Sequence, residues 1–244
     1  MTGWTKRLTT IAALGAFAQA APMVTSLGPV RAALFPRLTG LGDPGHVALT
    51  FDDGPDPAST PQFLDALDEA GVRATFFLLG RMVQRAPSLA RQIADAGHEV
   101  ALHGWGHRAH IALTPAQTLR DLRQGRDEVA SATGRAPTWY RPPYGVATAA
   151  TFSACRKLGL QPVLWSAWGK DWTATATPES VLHTVVRDLR GGGTILLHDS
   201  DCTSKPESWR STLGALPLLL EQCADQGWKV GPLREHSLAA AHAA

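Results

Sequence analysis

Two adjacent carboxylates follow an apolar run early in the chain. Residues Val47 to Asp56 read VALTFDDGPD, and the β-branched and aromatic members of this run predict a short buried strand that ends at its carboxylates. Gly54 and Pro55 turn the chain directly after Asp52 and Asp53. Adjacent carboxylates repel, and neighbouring side chains of an extended segment point to opposite sides. The pair therefore predicts a bound cation or two separate tasks, although an isolated DDG is more often a turn in which one Asp bonds to the backbone.

The sequence HGWGH at 103–107 is a second group of residues that could do chemistry. His103 and His107 can bind one metal ion if the intervening Gly-Trp-Gly turns, with Asp53 as the third ligand. Three protein ligands leave coordination positions for water and substrate, which is typical of a catalytic metal site. Two histidines at this spacing are a weak signal alone, so the prediction depends on Asp53 lying close to them. The other histidines lack such neighbours and are expected to be structural or solvated: His46, His98, His110, His183, His236 and His242.

Strands and helices alternate along the predicted secondary structure. Short apolar runs predict strands at 47–53, 74–79, 98–102, 138–141, 162–166, 194–197 and 229–230. Apolar periodicity with Gly, Pro and Thr boundary signals predicts helices at 60–70, 87–96, 115–132, 148–158, 178–189 and 207–226. This alternation predicts a parallel sheet with helices outside it, and about seven βα units suggest a closed or nearly closed barrel.

Polar residues follow several of these strands. In a parallel barrel such residues collect on the carboxyl-terminal face. We therefore expect one rim to carry Asp52, Asp53, His103, His107, Arg141, Asp171 and His198.

Five segments in order resemble the motifs of the polysaccharide deacetylases, carbohydrate esterase family 4 with its NodB-type domain. They are TFDDGP at 50–55, HGWGH at 103–107, RPPYG at 141–145, KDW at 170–172 and ILLHD at 195–199. The resemblance spans about Val47 to Asp199, and five ordered motifs are far more specific than any one of them. It implies an α/β fold, a distorted (β/α)7-type barrel, and a metal-dependent hydrolase that removes acetyl groups from N-acetylglucosamine units.

The resemblance also implies a role for each matching residue. Asp52 would be the general base and Arg141 its ion-pair partner. Asp53, His103 and His107 would hold a divalent ion, with Zn²⁺ expected and Co²⁺, Mn²⁺ or Ni²⁺ as alternatives. The Tyr144 backbone N–H would stabilise the oxyanion, and His198, supported by Asp171, would protonate the leaving amine. The substrate contacts would be Trp172, Leu196 and Pro143.

Two positions depart from the family pattern. Gly104 stands where a Ser or Thr hydroxyl usually braces the second motif, and Trp168 stands where an Asp usually opens the fourth. Neither position is a proposed ligand, acid or base, so we expect activity to survive. Trp168 is expected to widen the surface that contacts sugar.

Composition narrows the classes of function. The 244 residues carry a net charge of +2 with scattered Lys and Arg, which gives no electrostatic footprint for nucleic acid. Five of the eight Trp lie in or beside the motifs, where they can be core or can stack on sugar rings: Trp105, Trp139, Trp165, Trp168 and Trp172. The three cysteines lack metal-ligand spacing, and Cys155 is expected to be a buried thiol. A disulfide between Cys202 and Cys223 is an alternative if the protein is exported.

The first 45 residues are expected to lie outside the catalytic domain, which we place at 46–244. Lys6 and Arg7, an apolar stretch at 8–18 and the small-x-small pattern at 18–20 resemble a secretory signal, followed by an irregular lead-in. We therefore expect a secreted or envelope-associated monomer near membrane or cell wall. The alternatives are a cytoplasmic protein with a flexible leader and a protein whose leader is a membrane-proximal anchor.

Two other functions remain open. Relatives of the same superfamily cleave amide bonds in small molecules, which suggests a small-molecule amidohydrolase. A carbohydrate-binding pseudoenzyme would keep the barrel without turnover, although a binding module needs no general acid. Acetate release from chitooligosaccharide or peptidoglycan separates these alternatives from a polysaccharide deacetylase.

Overall fold

The computed structural model describes residue 15 and residues 17–238. Within this part of the chain, eight parallel strands form one curled sheet. They are β1 (His46–Asp52), β2 (Thr75–Leu78), β3 (Glu99–Leu102), β4 (Trp139–Tyr140), β5 (Gln161–Pro162), β6 (Ala167–Trp168), β7 (Thr194–His198) and β8 (Lys229–Gly231). Their order is β5-β4-β3-β2-β1-β7-β6, with β8 paired to the start of β1. The distorted (β/α)7-type barrel expected from the sequence is confirmed.

Helices connect successive strands, as parallel pairing requires, except between β5 and β6. The α-helices are α1 (Gly28–Leu34), α2 (Pro36–Thr39), α3 (Thr60–Glu69), α4 (Gly80–Arg85), α5 (Pro87–Asp95), α6 (Pro115–Thr133), α7 (Ala149–Leu158), α8 (Pro178–Asp188) and α9 (Trp209–Asp225). Short 3₁₀ helices lie at Ala21–Ser26, His110–Ala112, Pro143–Gly145 and Leu233–Glu235. Thr114, Thr148 and Thr177 each begin a helix with a reciprocal capping box.

The central strand β1 anchors the core. All seven of its residues are buried. Phe51 packs on Phe63 of α3 and Phe76 of β2, with ring centroids 5.2 and 5.1 Å apart. Each such buried ring contributes roughly 1.5–3 kcal/mol of hydrophobic stabilisation. This packing fixes the height at which β1 presents its terminal carboxylate.

Two predictions of local structure were wrong. Of the run predicted as a strand at 162–166, Pro162 alone lies in a strand. Residues 163–166 cross from β5, which pairs with β4 at one edge of the sheet, to β6, which pairs with β7 at the other edge. Irregular chain was predicted before residue 46, yet α1 and α2 lie there. Pro29 and Pro36 suggested irregular structure, but both occupy first-turn positions, where a helix accepts proline.

Other expectations can be compared directly with the described residues. The three cysteines are unpaired, so the Cys202–Cys223 bridge is absent, and Cys155 is buried as expected. The predicted secretory signal lies mostly outside the described residues. Among the helices of residues 17–238, none has both the length and the apolar character that crossing a membrane demands.

Candidate active site

Both carboxylates of the DDG sequence face the same histidine nitrogen. Asp52 Oδ2 lies 3.7 Å from His103 Nε2, and Asp53 Oδ1 lies 3.6 Å from it. The expectation that they point to opposite sides was wrong, because β1 ends at Asp52 and Asp53 adopts a left-handed backbone with φ of 81°. Strand alternation therefore stops between them, and the turn brings the second carboxylate beside the first.

Asp53, His103 and His107 form a compact group of ligand atoms. Asp53 Oδ1 is also 3.7 Å from His107 Nε2, and the three ligand atoms all lie within 4.8 Å of one another. His103 Nδ1 donates to the Arg141 carbonyl oxygen at 2.8 Å, which leaves the Nε2 lone pair directed at the group. Burial lowers the pKa of His103 to about 3 and also lowers that of His107, so both are neutral.

The two oxygens of the Asp53 carboxylate show why this group of ligand atoms suits a cation. Asp53 Oδ2 accepts a hydrogen bond from Thr203 Oγ1 at 2.5 Å, but Oδ1 is buried and has no hydrogen-bond partner among the described residues. An unpaired buried carboxylate oxygen facing two imidazole lone pairs is costly without a positive charge. The donor set therefore fits a divalent metal ion.

Helix α6 braces the loop that carries the two histidines. Asp121 Oδ2 accepts a hydrogen bond from the Trp105 backbone N–H at 3.0 Å, and the Gly106 backbone also bonds to this carboxylate. Gly104 has φ of 104°, and a Cβ atom there would lie 3.0 Å from Asp121 Oδ2. Asp121 thus braces the loop at the position where the family pattern places a hydroxyl.

Arg141 holds the other oxygen of Asp52. Its Nη1 donates to Asp52 Oδ1 at 2.7 Å and to Thr50 Oγ1 at 2.8 Å, while Nη2 donates to the Leu164 carbonyl oxygen. The guanidinium is fully buried and lies 4.0 Å from the centroid of the Phe77 ring. Burial raises the pKa of Asp52, and Arg141 opposes this rise without cancelling it. Asp52 Oδ2 remains available to the pocket.

His198 stands opposite Asp52 on the neighbouring strand. The two residues are paired in register between β1 and β7. His198 Nδ1 and its backbone N–H donate to Asp171 Oδ1 and Oδ2 at 2.9 and 2.7 Å, and Thr212 Oγ1 also donates to Oδ2. Burial lowers the pKa of His198, but the charge and hydrogen bond of Asp171 outweigh it and raise the pKa to about 10. His198 is therefore an imidazolium whose Nε2 is free to face the pocket.

These groups meet in one pocket of about 290 Å³. Its lining contains Asp52, His103, His107, Pro142, Tyr144, Gly145, Trp165, Trp168, Trp172, Leu196, His198, Thr203 and Ser204. Arg141, Asp53 and Asp171 lie behind this lining. Of the predicted substrate contacts, Trp172 and Leu196 line the pocket. Pro143 is buried and does not, because the turn presents its neighbours Pro142 and Tyr144 instead.

Aromatic side chains form one wall of the pocket. The Trp168 and Trp172 rings are stacked with centroids 4.4 Å apart, and Trp165 lies 5.5 Å from Trp168. Thr203 and Ser204 were not predicted, because nothing in their loop marks them and Thr203 is 150 residues from its partner Asp53. The sequence marks Trp165 only as one of five tryptophans in or beside the motifs. The tryptophan wall gives the pocket a flat apolar surface.

The remaining histidines do not contribute to this group. His46, His98, His110 and His236 are buried elsewhere and His183 is exposed, while His242 lies outside the described residues. Within residues 17–238, Asp53, His103 and His107 are the one set of three His, Cys, Asp or Glu side chains close enough to share a metal ion.

Known proteins are similar to this chain in sequence and in architecture. A family model described as polysaccharide deacetylase matches residues 40–163. The chain is 35% identical over 185 residues to the peptidoglycan-N-acetylglucosamine deacetylase of Bacillus cereus. This match covers 75% of this chain and 84% of that protein. It is 34% identical over 198 residues to a chitooligosaccharide deacetylase of Bradyrhizobium, and the match covers 77% of this chain and 88% of that protein. The fold matches a CE4 family pseudoenzyme from Bacillus anthracis with a TM-score of 0.71 and 27% identity, over 78% of this chain and 64% of that one.

Proposed function

Because the chain belongs to the polysaccharide deacetylase family, we propose that it is a metal-dependent hydrolase that removes N-acetyl groups from N-acetylglucosamine-containing polysaccharide. The observation that carries this proposal is the pairing of a carboxylate with an imidazolium across one pocket. Asp52 and His198 are register partners on adjacent strands, and both line the pocket beside His103 and His107. A base and an acid on either side of a metal-ligand group suit hydrolysis of an amide bond.

Asp53, His103 and His107 would hold the divalent ion, with Zn²⁺ as the expected metal. When bound there, such an ion supplies a Lewis acid toward an acyl oxygen and lowers the pKa of water. Neutral imidazoles and a carboxylate are ligands that zinc accepts, although other divalent ions accept them too.

Asp52 is the proposed general base. Its Oδ1 is occupied by Arg141, so Oδ2 takes the proton from the attacking water as the water oxygen bonds to the acetyl carbonyl carbon. Burial raises the pKa of Asp52, which makes it a stronger base than an exposed aspartate. Arg141 fixes the carboxylate in place through this reaction.

His198 is the proposed general acid. Its Nδ1 is engaged with Asp171, so Nε2 delivers a proton to the sugar nitrogen as the carbon–nitrogen bond breaks. Acetate and a free amine leave. The Tyr144 backbone N–H, in the turn that borders the pocket, is the proposed partner of the developing oxyanion.

The pocket lining supports an acetylated sugar as substrate. Leu196 and Trp172 offer an apolar surface for the acetyl methyl group, and the stacked tryptophans can cover the face of a sugar ring. Peptidoglycan and chitin-like oligomers both carry this unit. A substrate of this kind is consistent with an exported or envelope-associated enzyme.

Acetate release tests the proposal. The protein is stripped of metal with a chelator, reconstituted with Zn²⁺, and assayed on N-acetylglucosamine oligomers and peptidoglycan side by side. We expect acetate from at least one polymer, dependent on the added metal. Metal-loaded protein that releases no acetate from either polymer would contradict the proposal, and cleavage of small amides instead would favour the amidohydrolase alternative.

A further inference from the structure

Trp165 is held by a residue far from it in sequence. Arg31, carried by α1, is 4% exposed, and its Nη2 donates to the Trp165 carbonyl oxygen at 2.8 Å. Its Nη1 donates to the Thr25 carbonyl oxygen at 2.8 Å. The Arg31 guanidinium carbon also lies 5.6 Å from the centroid of the Trp165 ring. Arg31 thus contacts both the backbone and the ring of a residue in the pocket wall.

The Trp165 ring packs against other residues that form or support the pocket wall. Its ring lies 5.5 Å from Trp168, and the Arg141 guanidinium carbon lies 5.9 Å from the ring centroid. A Cβ atom on Gly145 would lie 2.7 Å from the Trp165 ring, so the ring packs tightly against the turn that carries Tyr144. A shift of Trp165 would therefore move one wall of the pocket.

The segment that carries Arg31 is docked onto the sheet by several other bonds. The Leu164 backbone N–H donates to the Leu38 carbonyl oxygen at 2.7 Å, and Thr194 Oγ1 donates to the Gly40 carbonyl oxygen at 2.7 Å. Arg37 Nη2 donates to Gln161 Oε1 at 2.5 Å. These bonds lie beside the crossing from β5 to β6. The family match begins at residue 40, so Arg31 precedes it.

Burying the Arg31 guanidinium costs free energy, because a charged group must be removed from water. An apolar side chain would avoid the desolvation of a charge. Burial, and then the nearby charge of Arg141, lowers the pKa of Arg31 to about 10, so it stays cationic at neutral pH. The arginine fork offers what an apolar residue cannot, because it binds two carbonyl oxygens while its charge lies 5.6 Å from the centroid of an indole ring.

We propose that Arg31 is a positioning residue for Trp165, and through it for sugar recognition, and that the catalytic unit of this chain includes the segment from Thr25 to Gly40. The kinetic test of this positioning role rests on the proposed function, because it measures deacetylation of an N-acetylglucosamine oligomer. The spectroscopic readout is independent of turnover.

The test is a double-mutant cycle of Arg31→Met and Trp165→Phe. Steady-state kinetics on an N-acetylglucosamine oligomer should show KM raised about fivefold to tenfold by Arg31→Met, with kcat changed by less than about threefold. On the Trp165→Phe background, Arg31→Met should raise KM no further, because both changes act through one ring. Fully additive effects of the two substitutions on KM would overturn the proposal.

Two further variants separate positioning from stability. Arg37→Met removes another arginine bond between the same segment and the sheet, and we expect it to lower the Tm without raising KM. Arg31→Lys keeps the charge but has a single donor nitrogen, so it should give a KM between those of wild type and Arg31→Met. This variant keeps the test valid if the Met variant folds poorly. A KM that rises equally in Arg37→Met and the Arg31 variants would overturn the proposal.

The fluorescence of Trp165 gives the readout without substrate. It is the emission of each protein minus that of its Trp165→Phe counterpart, and we expect it to shift in Arg31→Met but not in Arg37→Met. An unshifted Trp165 emission in Arg31→Met would contradict the positioning role even if wild type released no acetate. Absence of acetate with a shifted emission would count against the proposed function alone.

Discussion

The Asp171 carboxylate controls the charge of the His198 imidazole. Asp171 accepts two hydrogen bonds from His198, and its charge is the main influence raising the pKa of His198 against burial. In Asp171→Asn the pKa of His198 should therefore fall, and the alkaline limb of the pH–rate profile should move to lower pH. The measurement is kcat/KM between about pH 6 and pH 11 for both proteins, a range that extends past the pKa of His198. An alkaline limb that stays in place in the variant would exclude His198 as the general acid.

At the residue scale, the sequence predicted which side chains lie together better than it predicted how they are oriented. Asp53, His103 and His107 meet as expected, because each follows a strand whose carboxyl end reaches the same rim. The relative orientation of Asp52 and Asp53 could not be predicted, since it depends on the left-handed backbone at Asp53. Thr203 could not be predicted either, because its contact with Asp53 arises from tertiary packing alone.

At the scale of elements, α6 holds the metal-ligand loop through one carboxylate. Asp121→Ala would leave the Trp105 and Gly106 backbone N–H groups without their acceptor. We expect its affinity for Zn²⁺ to fall about 10- to 100-fold, the usual effect of losing a group that supports metal ligands. The measurement is a competition titration against a chromogenic chelator.

Asp127→Ala is the matched control for that titration. Asp127 lies on the same helix but is exposed, with its side chain paired to Arg126. Its removal should leave the affinity for Zn²⁺ unchanged. Equal affinities in the Asp121 and Asp127 variants would show that α6 does not support the loop.

Elements with their own local signals were predictable. Thr114 and Thr177 were expected to begin helices, and both form capping boxes there. The short helix α4 was missed, because six residues between Gly80 and Pro87 carry too little periodicity to identify it. The division into β5 and β6 depends on which strands lie at the two sheet edges, and the sequence of 162–166 contains no sign of that.

At the scale of the whole molecule, buried neutral histidines should make the fold sensitive to acid. Burial lowers the pKa of His98 and of His110 to about 4 each. Between pH 6.5 and 4 these two histidines bind protons in the unfolded chain but remain neutral in the folded chain. The free energy of unfolding therefore falls as the pH falls. The loss is on the order of 2 kcal/mol for each histidine across that range.

Chemical denaturation at pH 7.5 and pH 5 measures this loss. His98 Nδ1 accepts a hydrogen bond from the Ala74 backbone N–H at 3.1 Å, which an Asn side-chain oxygen can replace. His98→Asn should therefore lose less stability between the two pH values than wild type does. An identical loss in both proteins would show that His98 is not one of the responsible groups.

The proposed mechanism divides the work of the site between two adjacent aspartates, with Asp52 as the base and Asp53 as a metal ligand. The most direct measurement is bound zinc per chain together with acetate release for Asp52→Asn and Asp53→Asn. Asp52→Asn should retain the metal while turnover falls about 10²- to 10⁴-fold, and Asp53→Asn should lose both metal and activity. If Asp52→Asn instead lost zinc in proportion to its activity, the two roles would be exchanged, which would contradict the proposed mechanism.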